Sequence, residues 1–126
     1  MLFSVVLGFL IGLERQRHGK AIGVKTVSLI TLGSALFAIM SISIIPADAS
    51  RIIAQIVTGV SFIGAGLIIK YKGSIHGLTT AAVVWTSAAI GSLVGIGMYK
   101  EALCATIIVM IINYLFKYFK NENRSE

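Results

Sequence analysis

The chain alternates long apolar runs with short polar breaks. Apolar residues and small polar ones continue without a charge as far as Leu13, where Glu14-Arg-Gln-Arg-His18 interrupts them. The same pattern repeats down the chain and predicts five helical spans at 1–13, 26–45, 52–69, 78–98 and 102–119. Runs of this kind approach the ~20 residues that an α-helix needs to cross a bilayer. The connectors 14–25, 46–51, 70–77 and 99–101 are too short to be separate domains, and the only proline, Pro46, lies in one of them. There its missing N–H costs no helical hydrogen bond. The expected fold is all-α: a polytopic membrane protein built as a compact bundle of about five transmembrane helices. Residues 1–119 form the membrane domain and 120–126 a short polar cytoplasmic tail. The first run is short, because 13 residues rise only about 20 Å against a hydrocarbon core of about 30 Å. Residues upstream of Met1 are the expected remedy. Local bilayer thinning, or helix continuing through Glu14 and Arg15, is the other.

Helices already in lipid gain little by hiding apolar surface from water, so their association rests on close packing and interhelical hydrogen bonds. Small residues recur at helical spacing on four of the runs. Gly8 and Gly12 pair on the first, and Ser28, Thr31, Ala35 and Ala38 form a stripe on the second. On the third, Arg51, Gln55, Thr58, Phe62 and Gly66 share one face, with Gly59 and Gly64 nearby; on the fourth, Thr80, Ser87, Gly91 and Gly95 line up. The fifth run is expected to face lipid, with an inward side of Ala102, Ala105, Thr106 and Asn113. Trp85 falls well inside the fourth run, where its indole N–H would want an internal acceptor such as Gln55 or Thr58.

Composition agrees with a lipid environment: 56% of residues are hydrophobic and 13% charged, against about 25% charged in soluble domains. The net charge of +6 is held in short segments between apolar runs, which points to a membrane surface and not to nucleic acid. With five spans, one side collects nine cations: Arg15, Arg17, Lys20, Lys25, Lys70, Lys72, Lys117, Lys120 and Arg124; Arg51 and Lys100 fall on the other. The positive-inside rule then predicts a multi-pass protein with its N terminus outside and its C terminus in the cytoplasm. The lone cysteine, Cys104, rules out a disulfide framework within one chain.

Little in the sequence suggests catalysis. Of the five acids, Glu14, Asp48, Glu101, Glu122 and Glu126, only Glu14 is placed to enter the bundle, so an acidic metal cage is not expected. His18 and His76 lack ligand spacing, and there is no Walker loop, HExxH or GxSxG motif. No catalytic residue, metal site or cofactor is expected. Glu14 and Arg15 stand out as charges at the membrane boundary, where charged groups are costly and often functional. A neighbouring ion pair at a helix end is the plainer reading. Gln55, Thr58, Thr79, Thr80 and Trp85 would suit a polar transport path, but polar groups of this kind more often bond helices together.

Three segments carry a more specific signal. Ile11-Gly-Leu-Glu-Arg-Gln16 leads to Gly23-Val-Lys-Thr26; Arg51 to Gly66 encloses Gln55, Gly59 and Gly64; Gly77-Leu-Thr-Thr-Ala-Ala82 is followed by Trp85 and Gly91. In this order and spacing they resemble the MgtC/SapB family of bacterial inner-membrane proteins, over nearly the whole chain. The resemblance implies a regulator in adaptation to low magnesium and, in pathogens, in virulence. Such a regulator would act through other membrane proteins, among them the ATP synthase or ion transporters. The functional residues it implies are Glu14, Arg15, Gln16, Lys25, Arg51, Gln55, Thr79, Thr80 and Trp85. The helix-packing residues are Gly8, Gly12, Gly59, Gly64, Gly66, Gly91 and Gly95. Lys25 stands where the family usually has arginine, and Thr79 and Thr86 where some members have asparagine and cysteine. Many members continue into a soluble ACT-like domain, whose role is expected to be absent here or supplied elsewhere. A small-ion or solute transporter, or a structural subunit of a membrane complex, is the alternative, and a homo-oligomer fits any of these.

Overall fold

The computed structural model describes residues 1–44 and 46–122, with side chains through residue 115 apart from residue 45. Five helices follow one another: α1 (Leu2–Arg17), α2 (Val24–Ile44), α3 (Ala49–Gly66), α4 (Leu78–Gly95) and α5 (Tyr99–Glu122). A single 3-10 turn, Pro46–Asp48, joins α2 to α3, and Asp48 and Arg51 pair at 3.3 Å on its exposed surface. α2 and α4 form the centre of the bundle, with α1 and α3 packed on both; α5 lies outside against α4 and α1. The five helices and all-α class follow the sequence expectation. Three segments, Val24–Ile44, Pro46–Gly66 and Leu78–Gly95, are long and apolar enough to cross a membrane.

Several boundaries differ. α1 runs on through Glu14 to Arg17, because Leu, Glu, Arg and Gln all favour helix and the first breaker is Gly19, at φ +60°. α3 ends at Gly66, three residues before the expected Ile69. In place of a plain connector, strands β1 (Ile69–Tyr71) and β2 (Ser74–His76) pair as an antiparallel hairpin. Lys72 and Gly73 both take positive φ, as a two-residue turn matched to the strand twist requires. α4 stops at Gly95, short of Met98, and α5 continues to Glu122, into the stretch expected as tail.

Several small residues of α1, α2 and α4 lie where these helices approach each other closely. Thr31 of α2 is fully buried between Gly8 of α1 and Gly91 of α4. A Cβ on Gly8 would strike the Thr31 hydroxyl, and one on Gly91 would lie 2.9 Å from Thr31 Cα. Gly12 meets Val24 and Gly95 meets Ala35 in the same way. Glycine lets three backbones converge here, and the close fit collects many weak dispersion contacts.

The hydrogen bonds fall differently from expectation. The buried hydroxyls of Thr31, Ser41, Ser87 and Thr106 each donate to a carbonyl three or four residues earlier on their own helix. Such bonds satisfy the hydroxyl locally without joining helices. Among the described residues, side chain–side chain hydrogen bonds between helices are confined to Arg15–Thr80 and Glu14–Asn113. Packing holds most of the bundle.

The third-run stripe is reversed. Arg51, Gln55, Thr58, Phe62 and Gly66 are all exposed, Phe62 to 83%, while Ile56, Val60 and Gly64 face the core. Nothing lies within 4 Å of a Cβ built on Gly59 or Gly66, so these two do not pack helices within this chain; Gly64 does, against Ala81. Around the bundle, Phe9, Leu29, Phe37, Ile107 and Ile111 also point outward. An apolar exterior of this extent suits lipid and not water.

Candidate functional site

The polar cluster at the end of α1 is the candidate site. One helical turn sends consecutive side chains in different directions, and Glu14 and Arg15 separate accordingly. Arg15 points inward, 3% exposed, and its Nη2 donates to the Thr80 hydroxyl of α4 at 3.2 Å. Glu14 points towards α5, where its Oε2 accepts from Asn113 Nδ2 at 3.1 Å. Its other oxygen lies 2.8 Å from His18 Nδ1, one turn on, and the same nitrogen is 2.7 Å from the Glu14 carbonyl. Both neighbours of that nitrogen are oxygens, which selects the tautomer with its proton on Nδ1. The carboxylate is largely enclosed, at 13% side-chain exposure. The plain expectation of a Glu14–Arg15 ion pair at a helix end is therefore replaced. Each charge reaches across to a different helix, and together they tie α1 to α4 and α5.

Gln16 has a structural task beside them. Its Oε1 accepts from the Val24 N–H at 3.3 Å and lies against Gly23, so it holds the start of α2 to the end of α1. Thr80 is buried, while Thr79, next to it in the first turn of α4, is exposed. Asn113 is the member that sequence reasoning did not name as functional. The signal was present, since it is the one amide in the fifth apolar run, but its partner lies 99 residues away.

The remaining motif residues lie elsewhere. Arg51 pairs with Asp48 at the opposite end of α3 from the hairpin. Trp85, expected to bury its indole N–H, is 49% exposed and faces out of the bundle. Four residues to a near-turn put it on the face opposite Val83, Val84 and Ser87, which take the core. Lys25 and Gln55 both line an apolar groove of about 820 Å³ between α2 and α3, with Gly33, Phe37, Gly59 and Val60 in its walls. Gly33 and Gly59 both have open space above them. Among the described residues, no three His, Cys, Asp or Glu side chains converge. Lys117, Lys120 and Arg124, counted in the charge bias, lie outside the residues whose side chains are described.

The ends of the bundle are distinct. Arg15 and Arg17 close α1, Lys20 lies in the turn after it and Lys25 opens α2, while Lys70 and Lys72 belong to the hairpin that precedes α4. At the other end, Phe3 and Tyr99 stack edge to face, 5.8 Å between ring centres, joining the starts of α1 and α5.

Comparison with known proteins places these residues in a family. The MgtC family model matches residues 1–122. Protein MgtC of Salmonella typhimurium is 44% identical over 117 residues, covering 93% of this chain and 51% of that protein. Protein MgtC of Brucella abortus is 42% identical over 116 residues, covering 90% and 48%. The chain thus spans about half the length of the curated relatives it matches. No solved structure matches. An apolar-surfaced helical bundle, a polar lock at the end of α1 and a match over nearly its full length lead to one conclusion: this chain belongs to the MgtC family.

Proposed function

We propose that the chain is a regulatory, non-enzymatic protein of the bacterial inner membrane that serves adaptation to low magnesium by binding other membrane proteins. The single observation that carries this reading is the direction of the α3 polar face. Gln55 and Thr58, candidates for a transport path, point away from the bundle axis together with Arg51. Trp85 does the same on α4. Most buried hydroxyls among the described residues, Thr31, Ser41, Ser87 and Thr106 among them, are bonded to their own helices and make a poor lining for an ion path. A transporter needs polar groups facing a shared path; a regulator needs them on its outside. The groove between α2 and α3, with Lys25 and Gln55 on it, is the surface this reading assigns to partners. Ion transporters and the ATP synthase are the partner classes implied by the family resemblance.

The cationic turns set the orientation: N terminus outside, hairpin and C terminus in the cytoplasm. α1 and α5 cross together with the three segments named above. At about 1.5 Å per residue, the 16 residues of α1 reach about 24 Å, a mismatch the bilayer accommodates at modest cost.

The test pairs two measurements. A photo-crosslinker at position 55, in membranes of cells grown in low and in high magnesium, is expected to trap a protein partner that changes with magnesium. Saturable magnesium uptake by proteoliposomes holding this chain alone would overturn the reading.

A further inference from the structure

Arg15 carries a charge that no described protein group pairs with directly. Arg15 is only 3% exposed, and its Nε–H, sealed from solvent, has no acceptor among the described residues. Among the described residues, the close acid–base contacts are Glu14–His18 and Arg51–Asp48, and neither includes Arg15. Glu14, its neighbour, offsets part of that charge through space, but its oxygens are engaged by Asn113 and His18. A buried cation without a directly paired counter-ion is unfavourable.

The place where Arg15 points adds positive potential instead of removing it. Thr80, its acceptor, is the third residue of α4. The first bond in that helix runs from the Ala81 N–H to the Gly77 carbonyl, and no side chain caps the turn. The N–H groups of Leu78, Thr79 and Thr80 precede it, at the end of the helix where the dipole is positive. Lys70 and Lys72 enter from the hairpin just before. A helix start of this kind usually attracts a carboxylate, yet the residue aimed at it is an arginine.

We propose that the Arg15 guanidinium and the first turn of α4 form a binding site for a phosphate-type anion, supplied as free phosphate or as the phosphodiester of a lipid headgroup. A tetrahedral oxyanion takes the Nε–H of Arg15 on one side, with the geometry that makes arginine–phosphate bonds strong. Its other oxygens accept from the first-turn N–H groups of α4 and the exposed Thr79 hydroxyl. The orientation proposed above puts both sources at the level of this turn. The site is independent of whether the protein regulates or transports.

The experiment uses the full chain in a phosphorus-free maltoside detergent, titrated calorimetrically with inorganic phosphate and, separately, with short-chain phosphatidylglycerol. Saturable binding in at least one arm is expected: phosphate alone identifies a soluble anion, and phosphatidylglycerol alone a headgroup. Arg15→Lys keeps the charge but loses the Nε–H, and should weaken that binding about tenfold. Should Arg15→Lys not fold, Thr79→Val, at an exposed position of the same turn, should weaken it about threefold. Absence of saturable binding to the wild-type chain in both arms would overturn the proposal, as would unchanged affinity in a folded variant.

Discussion

Arg15 and Thr80, 65 residues apart in the chain, meet at 3.2 Å where the end of α1 crosses the start of α4. One is a buried cation and the other a neutral hydroxyl, so the bond is unequal: Thr80 has other ways to be satisfied, and Arg15 has few. Thr80→Val should therefore be the harmful half of the pair, costing about 1–3 kcal/mol in detergent thermal unfolding by leaving a buried charge without its acceptor. Arg15→Met combined with Thr80→Val removes both polar partners and should recover part of that loss. A double variant less stable than Thr80→Val alone would contradict this account.

Glu14 and Asn113 make the second link, from α1 to α5. A double-mutant cycle with Glu14→Leu and Asn113→Leu should give a coupling of about 0.6–1.7 kcal/mol, the range of interhelical hydrogen bonds in membranes. A cycle at Glu14 and Thr80, which share no bond, should give a value near zero.

Glycines of like appearance should behave in opposite ways. Gly91 sits against the Thr31 backbone, and Gly91→Ala should destabilise the bundle by about 1–3 kcal/mol through overpacking of α2 against α4. Gly59 opens onto the groove, and Gly59→Ala should be neutral or stabilise by up to about 1 kcal/mol, since alanine is the better helix former. Unfolding followed by the fluorescence of the single tryptophan, Trp85, measures both.

Trp85 also tests the outward face of α4. In proteoliposomes, lipids brominated along their acyl chains should quench its emission strongly. A Trp85 shielded inside the bundle would emit nearly unchanged.

Topology can be read by cysteine labelling in intact cells, after Cys104→Ala removes the native thiol. A membrane-impermeant maleimide should reach Lys100→Cys and spare Lys20→Cys until the cells are opened. Labelling of Lys20→Cys from outside would reverse the orientation.

How far the sequence alone reaches follows from the solvent. Lipid demands helices of a certain length with every backbone group bonded internally, so five apolar runs and their breaks already specify the helical class and the order of the elements. Glycine and alanine at three- and four-residue spacing marked the contact faces of α1, α2 and α4, because only small side chains let backbones approach. The charge pattern marked the two ends. The tertiary structure decided which way α3 and Trp85 face. In a bilayer the inside and the outside of a bundle are both apolar, so hydropathy carries no phase, and α3 has small residues on both faces. The partners of Glu14 and Arg15 were decided there too, because adjacent side chains on one turn diverge and their acceptors come from helices far along the chain.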